Sequence, residues 1–359
     1  MPSNQSPTIT TVLTTYRRPQ FLRRAIQSVL NQTFPNFRLA VYDDASDEAT
    51  KRVVCSFARR DSRVEYIPQP VTLGTPKNYQ FGLSRVNTPF YSLLADDDIL
   101  LPECFEKSLE VLNANPDALF SIGLTLFTGW DQKPFPSTAA DFCPGLSRMP
   151  EGLLEFVSRP QPPWIGMLFR NEVREIVGPL DTGLFSMDYD YLLRAAASCP
   201  YVVHHHPTAM FTIHPGSSTA VLRLHMVWPT RYAAMEKVVS DERIGREVRN
   251  RVRRILSQDF SRMLFMIGLR SLTLGYFDEA EQVAEILESK LAEPGKSRLL
   301  RIACKATNCC ASARSMLIRL HATRKSWQRN REDRLSTGLH GGYFEYYRQL
   351  GDPCADKID

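Results

Sequence analysis

A chain of 359 residues with 43% hydrophobic and 23% charged side chains holds enough apolar material for a packed core and is too long for a single one, which excludes general disorder and leads us to expect a main domain with an appendage. Lys and Arg exceed Asp and Glu by only five (44 against 39), so no nucleic-acid partner is called for, and no run nears the ~20 apolar residues that span a bilayer. Met1–Pro7 lacks a basic stretch followed by an apolar one, and the eight cysteines contain no CxxC pair, so a cytoplasmic location with reduced thiols is expected.

From Ile9 to about Leu126, short apolar runs alternate with amphipathic stretches, the pattern of an α/β sheet with mostly parallel strands. Ile9–Leu13 reads as the first strand. Pro19 suits a first helical turn, and Phe21, Leu22, Ala25, Ile26, Val29 and Leu30 continue at helical spacing to near Gln32. Arg38–Tyr42 is a second strand, Asp47–Arg60 a helix capped by Ser46 or Asp47, Val64–Ile67 a third strand, and Pro76–Arg85 a helix. Phe90–Leu94 is a buried strand that runs into three aspartates, and Leu119–Phe127 is a further strand. Gly129–Pro150 reads as a long loop, followed by a mixed region to Ala209 with a short helix starting near Asp188 and a strand at Tyr201–Val203.

Beyond Val221 the periodicity is helical to about Lys325, which places a domain boundary near residue 220. Gly275–Ala280 with Ala284 and Leu287 reads either as one hairpin of tetratricopeptide type, within 260–290, or as an ordinary helix turn. Arginines cluster at Arg243–Arg254 and Arg314–Arg334, as solvated helix faces or as a surface for an anionic partner.

Three polar clusters each follow an apolar run: Thr14-Thr15-Tyr16, Asp43-Asp44 and Asp96-Asp97-Asp98. Ligands of open α/β sheets gather beyond the carboxyl ends of strands, so these clusters should share one crevice. The acidic triplet is either a solvated turn or a carboxylate set for a hard cation such as Mn2+ or Mg2+. Asp43-Asp44 can cap a helix, bind ribose hydroxyls or do both. His204-His205-His206 cannot all reach one ion from an extended strand, because successive side chains point to opposite faces. Trp164 reads as an acceptor-stacking ring or a core residue.

Four ordered stretches, Thr11–Phe37, Leu39–Thr50, Leu93–Pro102 and Val177–Arg194, together resemble the inverting family 2 glycosyltransferases of the GT-A fold, over roughly residues 8–216. The resemblance implies a GT-A catalytic domain at 1–220 and a helical region at 221–359. It also implies transfer of a sugar from a UDP- or dTDP-type donor to a carbohydrate or lipid-linked acceptor, in surface polysaccharide or glycolipid synthesis. By the same resemblance Asp188 is the catalytic base. Thr14, Thr15, Tyr16, Arg18, Asp43, Asp44, Lys77, Asn78 and Asp96 bind the donor, and Asp97, Asp98 and His214 serve a Mn2+ or Mg2+ ion. Met187 stands where the family usually has Glu, and Pro76-Lys77-Asn78-Tyr79 replaces the usual Arg-Asn-x-Gly segment. Two rival readings are a nucleotidyltransferase, which would need a glycine-rich loop that Thr14–Pro19 lacks, and an inactive sugar-nucleotide-binding scaffold whose helical tail recruits partners. That tail is expected to give peripheral membrane contact or a homo-oligomer interface.

Overall fold

The computed structural model describes residues 6–128, 134–136, 141–214, 216–217 and 224–310, with positions 315, 316, 319, 346, 349 and 350 beyond them. Most of the Arg314–Arg334 stretch and part of the 129–150 loop therefore lie outside the described residues. The chain divides into two units, one made of residues 1–217 with 336–359 and the other of 218–335.

The first unit runs β1 (Ile9–Thr15), α1 (Pro19–Leu30), β2 (Phe37–Asp43), α2 (Glu48–Ala58), β3 (Val64–Pro68), α3 (Thr75–Leu83), β4 (Phe90–Ala95), β5 (Ile99–Leu100), α4 (Cys104–Ala114) and β6 (Phe120–Thr128). It continues with β7 (Pro134–Pro136), β8 (Gly145–Ser147), α5 (Glu151–Ser158), β9 (Leu168–Arg170), α6 (Glu172–Val177), α7 (Met187–Ser198) and β10 (Tyr201–Thr212). The strands form one sheet in the order β3-β2-β1-β4-β9-β6-β10-β5, with β7 on β6 and β8 on β10. β1 pairs parallel with β2 and β4, β2 with β3, and β6 with β10. β9 runs antiparallel to both β4 and β6, so β6 and β10 point the same way as β1 and β4. The fold is thus a mixed, mostly parallel sheet flanked by helices, the arrangement that the GT-A resemblance implies.

Helices on both faces explain why all seven residues of β1, four of them threonines, are buried. Pro19 opens α1, whose Leu22, Ala25, Ile26 and Val29 are buried as one stripe. Asp47 caps α2 by accepting from the Thr50 backbone N–H. α3 lies so close to the sheet that a Cβ on Gly82 would stand 2.5 Å from Val12 Cγ1. The strand expected at Tyr201–Val203 proves to be twelve residues long, with register shifts around Pro207. Three histidines and a proline hid its alternation, and the bulge they create breaks the period on which such an expectation depends. β5 and β9, of two and three residues, are too short to leave a period at all.

In the second unit α8 (Leu224–Val239), α9 (Arg246–Leu274), α10 (Phe277–Ser289) and α11 (Pro294–Cys309) surround a core of Leu264, Leu272, Ala280, Val283, Ala284, Leu287 and Leu300. α9 ends on Gly275 at φ 85°, the left-handed cap that closes a hairpin onto α10. Gly268 lets α11 approach α9, since a Cβ there would meet Leu300 Cδ2 at 2.4 Å. No helix among the described residues is long and apolar enough to cross a membrane.

His204 on β10 is 6% exposed, and neither ring nitrogen has a hydrogen-bond partner among the described residues. Burial, with His206 and His205 adding to it, lowers its pKa to about 4. Between that value and the ~6.5 of an unfolded histidine, the unfolded chain takes up a proton that the folded one refuses. Stability should therefore fall as pH drops through this window, by up to about 3 kcal/mol. Urea melts at pH 7 and pH 4.5 should show a smaller acid loss in His204→Leu than in the parent; equal losses would contradict this account.

Candidate active site

The site is assembled by burial of charge at the carboxyl ends of β1, β4 and β10. β4 ends at Ala95, and a turn in which the Asp98 N–H donates to the Ala95 carbonyl carries the three aspartates across to β5. β5 then pairs antiparallel with β10, which brings the end of β10 beside that turn.

Each acid has a different fate. Asp96 accepts from Thr15 Oγ1 (2.8 Å), from the Tyr16 N–H (3.3 Å) and from Arg18 Nη1 (3.3 Å). Its burial, reinforced by Asp97 and opposed by Arg18 and Thr15, pushes its pKa up to about 7. Asp97 is the most accessible of the three; its Oδ2 lies 2.7 Å from Arg18 Nη1 and 3.1 Å from His214 Nε2. The His214 ring stacks on Phe21 of α1 with centroids 4.6 Å apart, and Arg18 also donates to the Gly216 carbonyl (3.0 Å). Side chains from β1–α1, β4–β5 and the end of β10 thus meet at one point. Asp98 does not join them. It is 2% exposed, and its Oδ1 accepts the Thr212 N–H at 2.8 Å, so it ties the acidic turn to β10 instead of facing a cation.

Asp43, Asn78 and Lys77 stand apart from this meeting point. Asp43 is buried, and its carboxylate accepts from the Ser46 N–H (3.1 Å) and Tyr66 Oη (2.8 Å), so it braces its own loop against β3. Asn78 is buried and donates to the Tyr42 carbonyl (2.9 Å) while accepting from Gln69 (3.2 Å), which holds α3 to β2. Lys77 is exposed in the first turn of α3. Asp44 accepts the Leu73 N–H (2.6 Å) and the Gly74 N–H (2.9 Å), a pair of bonds that fixes the carboxylate at the start of α3. Thr14 is buried near the end of β1, while the Tyr16 ring is exposed with the Arg17 guanidinium 5.1 Å from its centroid. Trp164 is a core residue, buried edge-on against Tyr79 at 4.9 Å.

Asp188 lies in the first turn of α7 and is half-buried. α7 leads through Cys199 and Pro200 into β10, which runs the same way as β4, so α7 must run back against the strands. Its Tyr191 bonds Tyr91 of β4 hydroxyl to hydroxyl at 2.6 Å. From Tyr191 back to Asp188 the helix rises about 4.5 Å, against ~13 Å of strand from Tyr91 to Ala95. The start of α7 is thus on the Ala95 side of the Tyr91–Tyr191 contact.

One feature carried no signal in the pattern of polar residues. Arg17 and Ala45 both adopt φ 55°, each two residues past the end of its strand, β1 and β2, and the Arg17 N–H donates to Ser46 Oγ (3.0 Å). Left-handed backbone at non-glycine positions is held only where surrounding contacts enforce it, and here it folds two strand-end loops onto each other.

A carboxylate oxygen and an imidazole nitrogen 3.1 Å apart fit a hard divalent ion such as Mn2+ or Mg2+, Mn2+ accepting the nitrogen more readily. No three His, Cys, Asp or Glu side chains form a full metal cage among the described residues, so phosphate oxygens and water would have to complete the coordination. Any such ion competes with Arg18 for Asp97. Arg18→Gln should thus tighten Mn2+ binding measured by electron paramagnetic resonance without nucleotide, by about tenfold for the ~1.4 kcal/mol of one partly buried charged contact. Unchanged or weaker binding would show that Arg18 does not guard the acidic pair.

The family described as Glycosyl transferase family 2 matches residues 10–150. A GalNAc(5)-diNAcBac-PP-undecaprenol beta-1,3-glucosyltransferase of Campylobacter jejuni is 32% identical over 108 residues, 30% of this chain and 35% of that protein. An uncharacterized glycosyltransferase of Haemophilus influenzae is 26% identical over 109 residues, 30% of this chain and 34% of that protein. The chain thus spans about a third of the length of these curated relatives. In fold it is similar to S. aureus TarS 1–349 in complex with UDP-GlcNAc, with a TM-score of 0.62 at 13% identity over 84% of this chain and 87% of that one. The ends of β1 and β4 and the acidic turn lie within the matched segment, so residues 10–150 are similar to glycosyl transferase family 2, and the fold is similar to that of TarS.

Proposed function

We propose that this chain transfers a sugar from a nucleoside-diphosphate donor, of UDP or dTDP type, to an acceptor hydroxyl with inversion at the anomeric carbon. The observation that carries this reading is the meeting of Asp96, Asp97, Arg18 and His214 at the carboxyl edge of the sheet. A cluster of that kind has both signs of charge within reach of a diphosphate.

In this reading Thr14, Tyr16 and Asp44 border the nucleoside, with the exposed Tyr16 ring offering a face to the base. Thr15 and the Tyr16 N–H hold Asp96 through Oδ2, and Oδ1, bonded to Arg18, is the oxygen that meets the ribose once Arg18 turns to phosphate. Asp97 and His214 would hold Mn2+ or Mg2+, which supplies Lewis-acid neutralisation of the departing diphosphate. Arg18, released from the carboxylates, turns its guanidinium to phosphate oxygens, for which its planar donor fork is suited. Asp188 accepts the proton of the acceptor hydroxyl as that oxygen bonds to the anomeric carbon, and the bond to the diphosphate breaks with its electron pair leaving on the diphosphate. Attack opposite the leaving group inverts the centre in one displacement.

The acceptor is a carbohydrate or a lipid-linked saccharide on the way to a surface polysaccharide or glycolipid. The Campylobacter jejuni relative is named for an undecaprenol-linked acceptor, which supports the lipid-linked form.

A panel of nucleotide sugars assayed for hydrolysis and transfer, with Mn2+ and with chelator, tests the donor class; no turnover of any of them would sink the reading. For mechanism, Asp188→Asn should leave donor affinity intact while slowing transfer about a thousandfold, the usual reach of a general base. Near-normal transfer in that variant would mean that a different group takes the proton.

A further inference from the structure

α11 has two unlike faces. Ser297, Leu300 and Thr307 are buried against the helical core of the second unit. On the opposite side Gly295, Leu299, Ile302, Ala306 and Cys309 recur at alternating steps of four and three, forming one stripe along the helix. Leu299 is 59% exposed and Ile302 56%. A single exposed leucine needs no cause, whereas an apolar stripe running the length of a helix does.

The charges of the same helix are all of one sign. Lys296, Arg298, Arg301 and Lys305 occur between Pro294 and Cys309 with no Asp or Glu among them. Two of the four are engaged within the unit: Lys296 pairs with Glu293 (3.0 Å), and Arg301 with Glu281 (2.8 Å) and Glu288. Arg298 and Lys305 are exposed, form no ion pair among the described residues, and stand four residues before and three after Ile302, beside the stripe.

We propose that this face of α11 docks the protein on an anionic phospholipid surface, with Leu299 and Ile302 entering the headgroup boundary and Arg298 and Lys305 pairing with lipid phosphates. Apolar side chains flanked by free cations, with no acid, are what an interfacial helix needs. A second copy of the chain fits the stripe less well, because it would bring the same two cations against each other with no carboxylate between them. The inference rests on the second unit alone and not on the transfer reaction.

The test is cosedimentation of the full chain with vesicles of phosphatidylglycerol and phosphatidylcholine in equal parts, without donor or acceptor. The parent should bind these vesicles, fail to bind pure phosphatidylcholine, and lose binding as salt is raised. The double variant Arg298→Gln with Lys305→Gln should bind about thirtyfold more weakly, at roughly fivefold for each surface cation removed. Leu299→Gln with Ile302→Gln should lose most of the binding while keeping the parent's circular dichroism and melting midpoint, because both positions are exposed. A parent that stays in the supernatant, or either double variant sedimenting as the parent does, would overturn the assignment. Sedimentation velocity showing a dimer that Leu299→Gln with Ile302→Gln dissolves would give the stripe to a second copy instead. Failure of vesicle binding would leave the transferase proposal standing, since neither donor nor acceptor enters the measurement.

Discussion

Buried carboxylate is the constraint that organises the first unit. Asp44, Asp96 and Asp98 are each almost fully removed from water at one end of the sheet, where an unpaired charge would be far more costly than any local packing gain. Each therefore dictates the course of the backbone that serves it. Asp44 draws the 73–74 backbone toward β2 and so sets where α3 begins. Asp96 fixes the end of β1 through Thr15 and the Tyr16 N–H, and Asp98 recruits Thr212 at the end of β10. The accessible Asp97 is left with Arg18 and His214 as a consequence of its neighbours being turned inward.

This division of labour also accounts for the raised pKa values. Burial comes first and the Asp97 charge second for both Asp96 and Asp98. Arg18 is the counterweight, and its two carboxylate contacts with the Gly216 carbonyl stitch α1 to the segment after β10. The left-handed residues Arg17 and Ala45 serve the same end: each loop turns sharply two residues past its strand, and the Arg17 N–H bonds Ser46 Oγ across them.

Much of this could be read from residue order, and the exceptions have physical reasons. The parallel strands and the helices between them were legible because a sheet covered on both faces demands continuous apolar runs, and Pro19 and Asp47 announce helix starts. Polar clusters after strands fall at the carboxyl edge of the sheet, since topology alone puts them there. What residue order could not reveal was which acid turns inward. Asp43 and Asp44 are adjacent and chemically identical, yet one braces Tyr66 and the other the start of α3. Within the triplet, only the antiparallel pairing of β5 with β10 decides that Asp98 meets Thr212. Asn78 misled for a related reason: its amide satisfies a strand carbonyl, a requirement visible only once α3 lies on β2. β10 was foreshortened by the histidines and Pro207, and with it the path that leads to His214.

That path links two residues to which the proposed reaction assigns roles. Asp188 and His214 lie on either side of a single αβ unit, one in the first turn of α7 and the other just beyond the end of β10. A helix that runs against the strands followed by a strand that runs with them is a return journey, in which the helix rises about 17 Å and the strand, level with Phe120–Thr128 of β6, advances about 26 Å. The journey is rigid where it matters. Tyr191 is bonded to Tyr91, Arg194 anchors to Asp190 and to the carbonyls of Val177 and Pro179, and β10 is paired along its length to β6. The bulge at His204–Pro207 adds residues to β10 without adding equal length, which tunes where Thr212 and His214 arrive relative to Asp98 and Asp97. Lengthening or straightening that strand would slide His214 past Asp97 while leaving α7 in place, so the bulge sets the register between the two halves of the crevice.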